Sequence, residues 1–187
     1  GSVGYHLAEE LVKEGVNVVG TDIDAEKVKR AEDEFKIKSV KPDEIYEVDA
    51  EIFSPCALGG IINDKTIPKL KCKIVAGGAN NQLEEDRHGD ELEKRGVLYA
   101  PDYVINAGGL INVYVELEGY SSERALRMTR GIYYNLRKVF EIAKKEKIPT
   151  YQAADRMVLY RITTIKNIKR TFLLTPIILT RLKAELI

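Results

Sequence analysis

The sequence predicts an α/β fold in which a doubly wound parallel sheet is followed by C-terminal helices, and three observations carry that expectation. A glycine turn, Gly1-Ser-Val-Gly4, opens directly into a helical pattern. Short apolar runs then alternate with helical or capped stretches as far as Pro101. Beyond Pro101 the apolar spacing changes to threes and fours. Strands alternating with helices imply a parallel sheet covered on both faces, because each crossover helix packs back onto the sheet it left.

Element by element, Tyr5, Leu7, Ala8, Leu11 and Val12 form one apolar face of a helix that stops at Gly15. Val16 to Thr21 is a short β-branched run, and Asp24 is placed to cap a charged helix from Ala25 to Phe35. Further strands are expected at Glu51 to Ser54, Lys73 to Ala76 and Val97 to Tyr99. Helical or capped stretches separate them at Asn63 to Leu70 and Gln82 to Arg95. Two helices follow, Ala107 to Leu117 and Ser121 to Lys147; Pro149 then interrupts, and Thr150 is placed to cap a last helix through Ala153, Ala154 and Met157.

Of the 187 residues, 44% are hydrophobic and 31% charged, which is too apolar for a disordered chain and enough to bury a core. No uninterrupted apolar run approaches the roughly 20 residues of a membrane-spanning helix. Lys and Arg number 29, as do Asp and Glu, so the basic excess that neutralises nucleic-acid phosphates is missing. Neither a nucleic acid nor a membrane is expected as a partner. The neutral total hides a contrast: residues 158–187 hold six cations against Glu185, a net of +5, which leaves −5 on residues 1–157. Two cysteines, Cys56 and Cys72, are too few for a disulfide framework, and no leader pattern precedes the first motif, so a reducing cytoplasm is the expected location. Two histidines and two cysteines at no ligand spacing predict no metal site. His6 and His88 read as solvated, and so does the Lys144-Lys-Glu-Lys147 run.

The glycines and one acid suggest a ligand. A Rossmann fingerprint places G-x-G-x-x-G at a strand-to-helix turn, so that backbone N–H groups approach a pyrophosphate with no Cβ in the way, and an acid about 20 residues later accepts the ribose hydroxyls. Gly1 and Gly4 have the spacing of the second and third glycines, and Asp22 lies 18 residues after Gly4 at the end of the next apolar run. The first glycine and its strand are not in the sequence. By itself the pair also fits a cloning remnant or a closely packed helix start.

Three longer stretches add to this. Ile52-Phe-Ser-Pro-Cys-Ala-Leu-Gly-Gly60, Ile74-Val-Ala-Gly-Gly-Ala-Asn-Asn-Gln82 and Tyr99-Ala-Pro-Asp-Tyr-Val-Ile-Asn-Ala-Gly-Gly109 closely resemble the cofactor domain of the glutamate, leucine, phenylalanine and valine dehydrogenases, the leucine/valine branch above all. The resemblance covers Gly1 to about Met157. It implies a Rossmann-type domain over residues 1–157 and a divergent basic and apolar tail over 158–187. It implies also that Gly1, Ser2, Val3 and Gly4 hold the pyrophosphate and that Asp22, with Ile23 beside it, holds the adenosine ribose. An acid there disfavours a 2′-phosphate, so NAD is expected over NADP. Cys56 and Ala57 would line the ribose and pyrophosphate crevice through their backbone, and Ala79 and Asn80 would sit under the nicotinamide ribose. A carboxamide both donates and accepts, which suits Asn80 to orient the nicotinamide half or a substrate carboxylate. Asn106 reads either as a ligand contact near the same pocket or as the N-cap ahead of Ala107. Cys56 has no neighbouring His or Lys in sequence to activate its thiol, and no catalytic role is expected of it.

The activity that the resemblance implies is oxidative deamination of a leucine- or valine-type L-amino acid to a 2-oxo acid and ammonia. It needs a carboxylate-binding group, a lysine of lowered pKa and a proton-shuttling acid. In the family these groups lie in glycine-rich segments of an N-terminal domain, and no such segment occurs in this sequence. The chain is therefore expected to be the NAD-binding part of a homo-oligomeric enzyme and inactive by itself. Its sheet would lack the first strand of the 3-2-1-4-5-6 order, leaving two strand edges open. The alternative from another class is a non-catalytic dinucleotide-binding or interaction module. Thr163 to Ile187 resembles nothing in the family; with its apolar run Phe172 to Leu179 it reads as a helical extension, an interface segment or read-through from a broken frame, an unnatural or poorly ordered tail being favoured and a membrane-surface role through its +5 charge a minor alternative.

Overall fold

The computed structural model describes the backbone of residues 1–184 and the side chains of residues 1–168. In chain order the elements are α1 (Ser2–Lys13), β1 (Val19–Gly20), α2 (Ala25–Phe35), β2 (Lys38–Ser39), β3 (Ile52–Phe53), β4 (Ile74–Val75), α3 (Arg87–Lys94), β5 (Leu98–Tyr99), α4 (Asp102–Ile105), α5 (Gly108–Leu117), α6 (Ser122–Glu146) and α7 (Thr150–Ala184). Every strand pairing is parallel, and the protein is an α/β fold. The strands form two sheets, one of β1 and β2 and one in the order β3-β4-β5. Among the described residues, β1 pairs only with β2 and β3 only with β4.

Helix starts follow local chemistry. Asp24 caps α2 through its carboxylate, which accepts from the N–H groups of Glu26 and Lys27, and Ser121 caps α6 by accepting from Arg124 N–H. Lys36 and Lys147 end those two helices in the left-handed conformation. Helix α1 lies against α2, where the Tyr5 and Phe35 rings meet at 4.7 Å and the Arg30 guanidinium sits 4.4 Å over Tyr5.

Two cores result. The first joins the three-stranded sheet to α3 through Ile62, Ile67, Leu70, Val75, Leu92, Val97 and Tyr99. The second packs α4, α6 and α7 through Val104, Val139, Ala143, Ala153 and Ala154. Burying a side chain such as Leu92 or Val139, both 0% exposed, contributes about 1.5–3 kcal/mol each.

Several expectations need correction. His88 is buried, not solvated: its Nδ1 accepts from Glu85 N–H at 3.0 Å, its Nε2 lies 3.3 Å from Asp64, and the inner face of α3 that carries it also buries Gly89 and Leu92. The stretch from Gln82 to Arg95 is helical only from Arg87, because Leu83 first bridges to Ile62 and Gln82 is drawn under the preceding loop. Of the two readings of Asn63 to Leu70, the capped stretch holds: Asn63 Oδ1 accepts from the N–H groups of Lys65 and Thr66, and Ile67–Lys69 coils as a 3-10 turn containing Pro68. Strand β2 and the 3-10 turn Pro42–Glu47 carry too little apolar pattern to be expected; both residues of β2 are exposed. Thr150 begins α7 instead of capping it, and the α7 backbone continues to Ala184, so of the readings of the C-terminal segment the helical extension holds over 163–184 and the favoured poorly ordered tail does not. The side chains of residues 172–179 and the whole of residues 185–187 lie outside the described residues. Among the described residues, no helix is long and apolar enough to cross a membrane and no cluster of ligands could hold a metal ion.

Candidate functional site

Parallel strands point their carboxyl ends the same way, and in open α/β sheets ligands bind in the crevice outside those ends. At the end of β1, Asp22 Oδ1 accepts from Asp24 N–H at 3.1 Å and Oδ2 accepts from the Gly1 amino group at 2.5 Å. The Gly1 amino group first, then the Asp24 N–H, hold this carboxyl below its ordinary value. Ile23 beside it stands 95% exposed. At the end of β3, Pro55 is buried, Cys56 is half-buried with its Sγ 3.7 Å from Ser54 Oγ, and Ala57 is exposed. The end of β4 is the loop Gly77 to Gln82, with Ala79 buried and Asn80 exposed. Asn106, beyond α4, donates from Nδ2 to Asn80 Oδ1 at 2.5 Å and to the Ala79 carbonyl at 3.4 Å. Ala107, not Asn106, is the N-cap of α5, so of the two readings of Asn106 the cap is excluded.

These loops touch, and glycines permit it. A Cβ on Gly77 would stand 2.2 Å from the Pro55 carbonyl oxygen, one on Gly78 2.7 Å from Val3 Cγ1, and one on Gly4 3.3 Å from Cys56 Cβ. Ala79 N–H donates to the Pro55 carbonyl at 2.9 Å and Gly60 N–H to the Asn81 carbonyl at 2.7 Å, which ties the β3 and β4 loops together. The first turn of α1 therefore reaches both sheets, Gly1 at Asp22 and Val3 and Gly4 at the β3 and β4 loops. Contacts thus link Gly1 to Asp22, Val3 to Gly78, Gly4 to Cys56, and Asn106 to Ala79 and Asn80 at the carboxyl ends of the strands. Ser2, Ile23 and Ala57 are exposed beside these contacts.

Sequence reading missed the residues that hold these loops in place. Asp102, buried at the start of α4, accepts from Asn81 N–H at 2.7 Å with Oδ2 and from the Tyr99 hydroxyl at 2.7 Å with Oδ1. Burial first, then the bond to Asp102, raise the Tyr99 hydroxyl far above its ordinary value, so it stays a donor. Gln82, fully buried, donates from Nε2 to the Gly77 carbonyl at 2.7 Å and the Ala79 carbonyl at 3.0 Å. An acid after a proline reads as an ordinary helix-start residue, and a tyrosine in a strand as core; the one available signal was that Asp102 falls inside a resembling stretch.

Chemically, the crevice offers N–H donors at one helix end, a carboxylate acceptor at β1 and a carboxamide pair at β4 and α4. The sequence model of the Glutamate/Leucine/Phenylalanine/Valine dehydrogenase family matches residues 13–169. The chain belongs to that family. Leucine dehydrogenase of Geobacillus stearothermophilus is 56% identical over 173 residues, covering 92% of this chain and 47% of that protein. Phenylalanine dehydrogenase of Caldalkalibacillus thermarum is 48% identical over 163 residues, covering 84% of this chain and 44% of that protein. The crystal structure of L-tryptophan dehydrogenase from Nostoc punctiforme superposes with a TM-score of 0.86 at 48% identity, covering 88% of this chain and 50% of that one. The chain spans about half the length of the relatives it matches. All three relatives are amino-acid dehydrogenases, differing in the amino acid named. The family match runs to residue 169, which extends the resemblance past Met157 and corrects the expectation for residues 163–169.

Proposed function

We infer that this chain is the NAD-binding half of an L-amino-acid dehydrogenase acting on leucine- or valine-type substrates. The observation that carries the reading is the convergence of Asp22, the first turn of α1 and the Asn80–Asn106 pair at the carboxyl ends of parallel strands, in a member of this family. The strand orders β1-β2 and β3-β4-β5 fit the two flanks of a Rossmann sheet about its central strand.

The residues present fit the cofactor. A Cβ on Gly1 would meet nothing within 4 Å, and α1 has no side-chain cap and no acid in its first turn, so its N–H groups suit a pyrophosphate. Asp22 would accept the adenosine ribose hydroxyls, and its charge would repel a 2′-phosphate. Cys56 and Ala57 would wall the crevice between ribose and pyrophosphate. Asn106 holds Asn80 by its carbonyl oxygen, which leaves the Asn80 amide to donate to the nicotinamide half. When bound, NAD supplies a hydride acceptor for the substrate α-carbon. In a protein of the relatives' length, the groups that handle the amino acid's protons would come from the other half.

Leucine- or valine-dependent NADH formation by the full-length gene product is the test. Activity confined to NADP, or to a 2-hydroxy acid, overturns the reading, and binding of NAD without any turnover favours the non-catalytic module.

A further inference from the structure

Asn80 is exposed at the crevice, yet it sits in a short loop whose conformation needs an outside hold. Asn81, next to it, adopts φ 51°, the left-handed region that asparagine enters more readily than most non-glycine residues and that turns the chain sharply here. Four bonds pin the loop around that turn: Gln82 to the carbonyls of Gly77 and Ala79, Gly60 N–H to the Asn81 carbonyl, and Asn81 N–H to Asp102. The last is the one charge-assisted bond among them, and it comes from a different element, 21 residues away. Asp102 is itself fixed. Its second oxygen accepts from the Tyr99 hydroxyl, and its own N–H donates to the Tyr99 oxygen at 3.2 Å. Four residues beyond Asp102, Asn106 grips the Asn80 carbonyl oxygen. Among the described residues the Asn80 Nδ2 has no protein acceptor, so it is the donor left to a ligand.

We propose that Asp102, braced by Tyr99, is a positioning residue that presets Asn80 by anchoring the Asn81 backbone, so that the Asn80 amide faces the nicotinamide half of the dinucleotide. It touches no ligand. The inference rests on the reading of Asn80 as a nicotinamide-side contact. A carboxylate is required because both of its oxygens accept. A carboxamide would keep an acceptor for Asn81 N–H but turn its NH2 toward Tyr99, leaving the tyrosine proton unpaired.

NAD spans both ends of the crevice, whereas ADP reaches only the Asp22 end. Calorimetric titration of the full-length protein with each therefore separates orientation of Asn80 from general loosening. Asp102→Ala and Asn80→Ala are each expected to lower NAD affinity about tenfold, one hydrogen bond's worth. ADP affinity should stay within about twofold. Asp102→Asn, which keeps one acceptor in place should the alanine variant fail to fold, gives a smaller loss in the same direction. In an Asn80→Ala background, Asp102→Asn should change the NAD-to-ADP affinity ratio less than about twofold, since the group it orients is gone. Equal losses on NAD and ADP, additive effects in the double variant, or no loss from either Asp102 variant overturns the proposal. If Asn80→Ala binds NAD normally, the reading of Asn80 falls and takes this inference with it. A selective loss from Asn80→Ala without one from Asp102 overturns the inference alone.

Discussion

At the scale of single residues, Asp22→Ser is the sharpest probe of cofactor choice. The carboxylate at the end of β1 accepts from Asp24 N–H, and a serine there offers a neutral oxygen. NAD binding to the full-length protein is expected to weaken by about 1.5–3 kcal/mol, the loss of a hydrogen bond to a charged group. NADP binding should weaken less, because a repulsion is removed along with the bond. Equal losses in paired titrations would take Asp22 out of the ribose site. The position of Asp22 at the end of β1 was legible because its evidence is local: an acid at the end of an apolar run, at a fixed distance from a glycine turn. Asp102 and Gln82 were not, since what they do depends on loop carbonyls and N–H groups that only the fold brings near. His88 was misread for a related reason: Asp86, Arg87 and Asp90 make its surroundings look solvated, but a helix has an inner face, and His88 falls on it with Leu92.

At the scale of elements, glycines separate close packing from plain flexibility. Gly77→Ala would drive a Cβ to 2.2 Å from the Pro55 carbonyl oxygen and 2.4 Å from its nitrogen, and backbone cannot rotate away as a side chain does. A loss of about 1–3 kcal/mol is expected, as for overpacking. Gly131, inside α6, has nothing within 4 Å of a built Cβ, so Gly131→Ala should raise stability by about 0.5–1 kcal/mol through helix propensity. Urea denaturation of both variants checks the pair, and a destabilised Gly131→Ala would mean that α6 has a close neighbour on that face. The start of α3 gives a pH signature. Arg87 bonds both Asp64 oxygens, at 2.6 and 2.7 Å, and this lowers the Asp64 carboxyl from 3.8 to about 2. A carboxylate depressed in the folded state contributes stability that is fully present above about pH 4 and is lost as pH falls toward 2. The stability difference between the protein and Asp64→Asn should therefore shrink over that window, modestly, since the pair is largely exposed. A difference independent of pH would rule out the ion pair as its source. Helix α6 was legible to within one residue at each end, Ser121 and Lys147 being its caps. Two-residue β2 was not, because it is held by its backbone pairing to β1 and shows no apolar face.

At the scale of the whole molecule, no strand pairing joins the two sheets among the described residues, and this bears on what the 187-residue chain does by itself. Strands β1 and β3 each carry one hydrogen-bonded neighbour among the described residues, so each presents an open row of N–H and C=O groups of the kind that invites another strand. Ile52 on β3 is 53% exposed, and on α5 Leu110 and Leu117 are 74% and 82% exposed. Open edges beside exposed apolar side chains favour association. The Gly1 amino group occupies Asp22 Oδ2, an oxygen that a ribose hydroxyl would need, and is the contact by which the first turn of α1 is anchored to β1. The isolated chain is therefore expected to bind NAD far more weakly than the full-length protein and to self-associate as its concentration rises. Calorimetry and sedimentation measure the two effects separately. A monomeric profile with one cooperative unfolding transition and NAD binding at about the micromolar level would show that β1 and β3 are bridged in solution, and that α1 needs no further anchor to present its N–H groups.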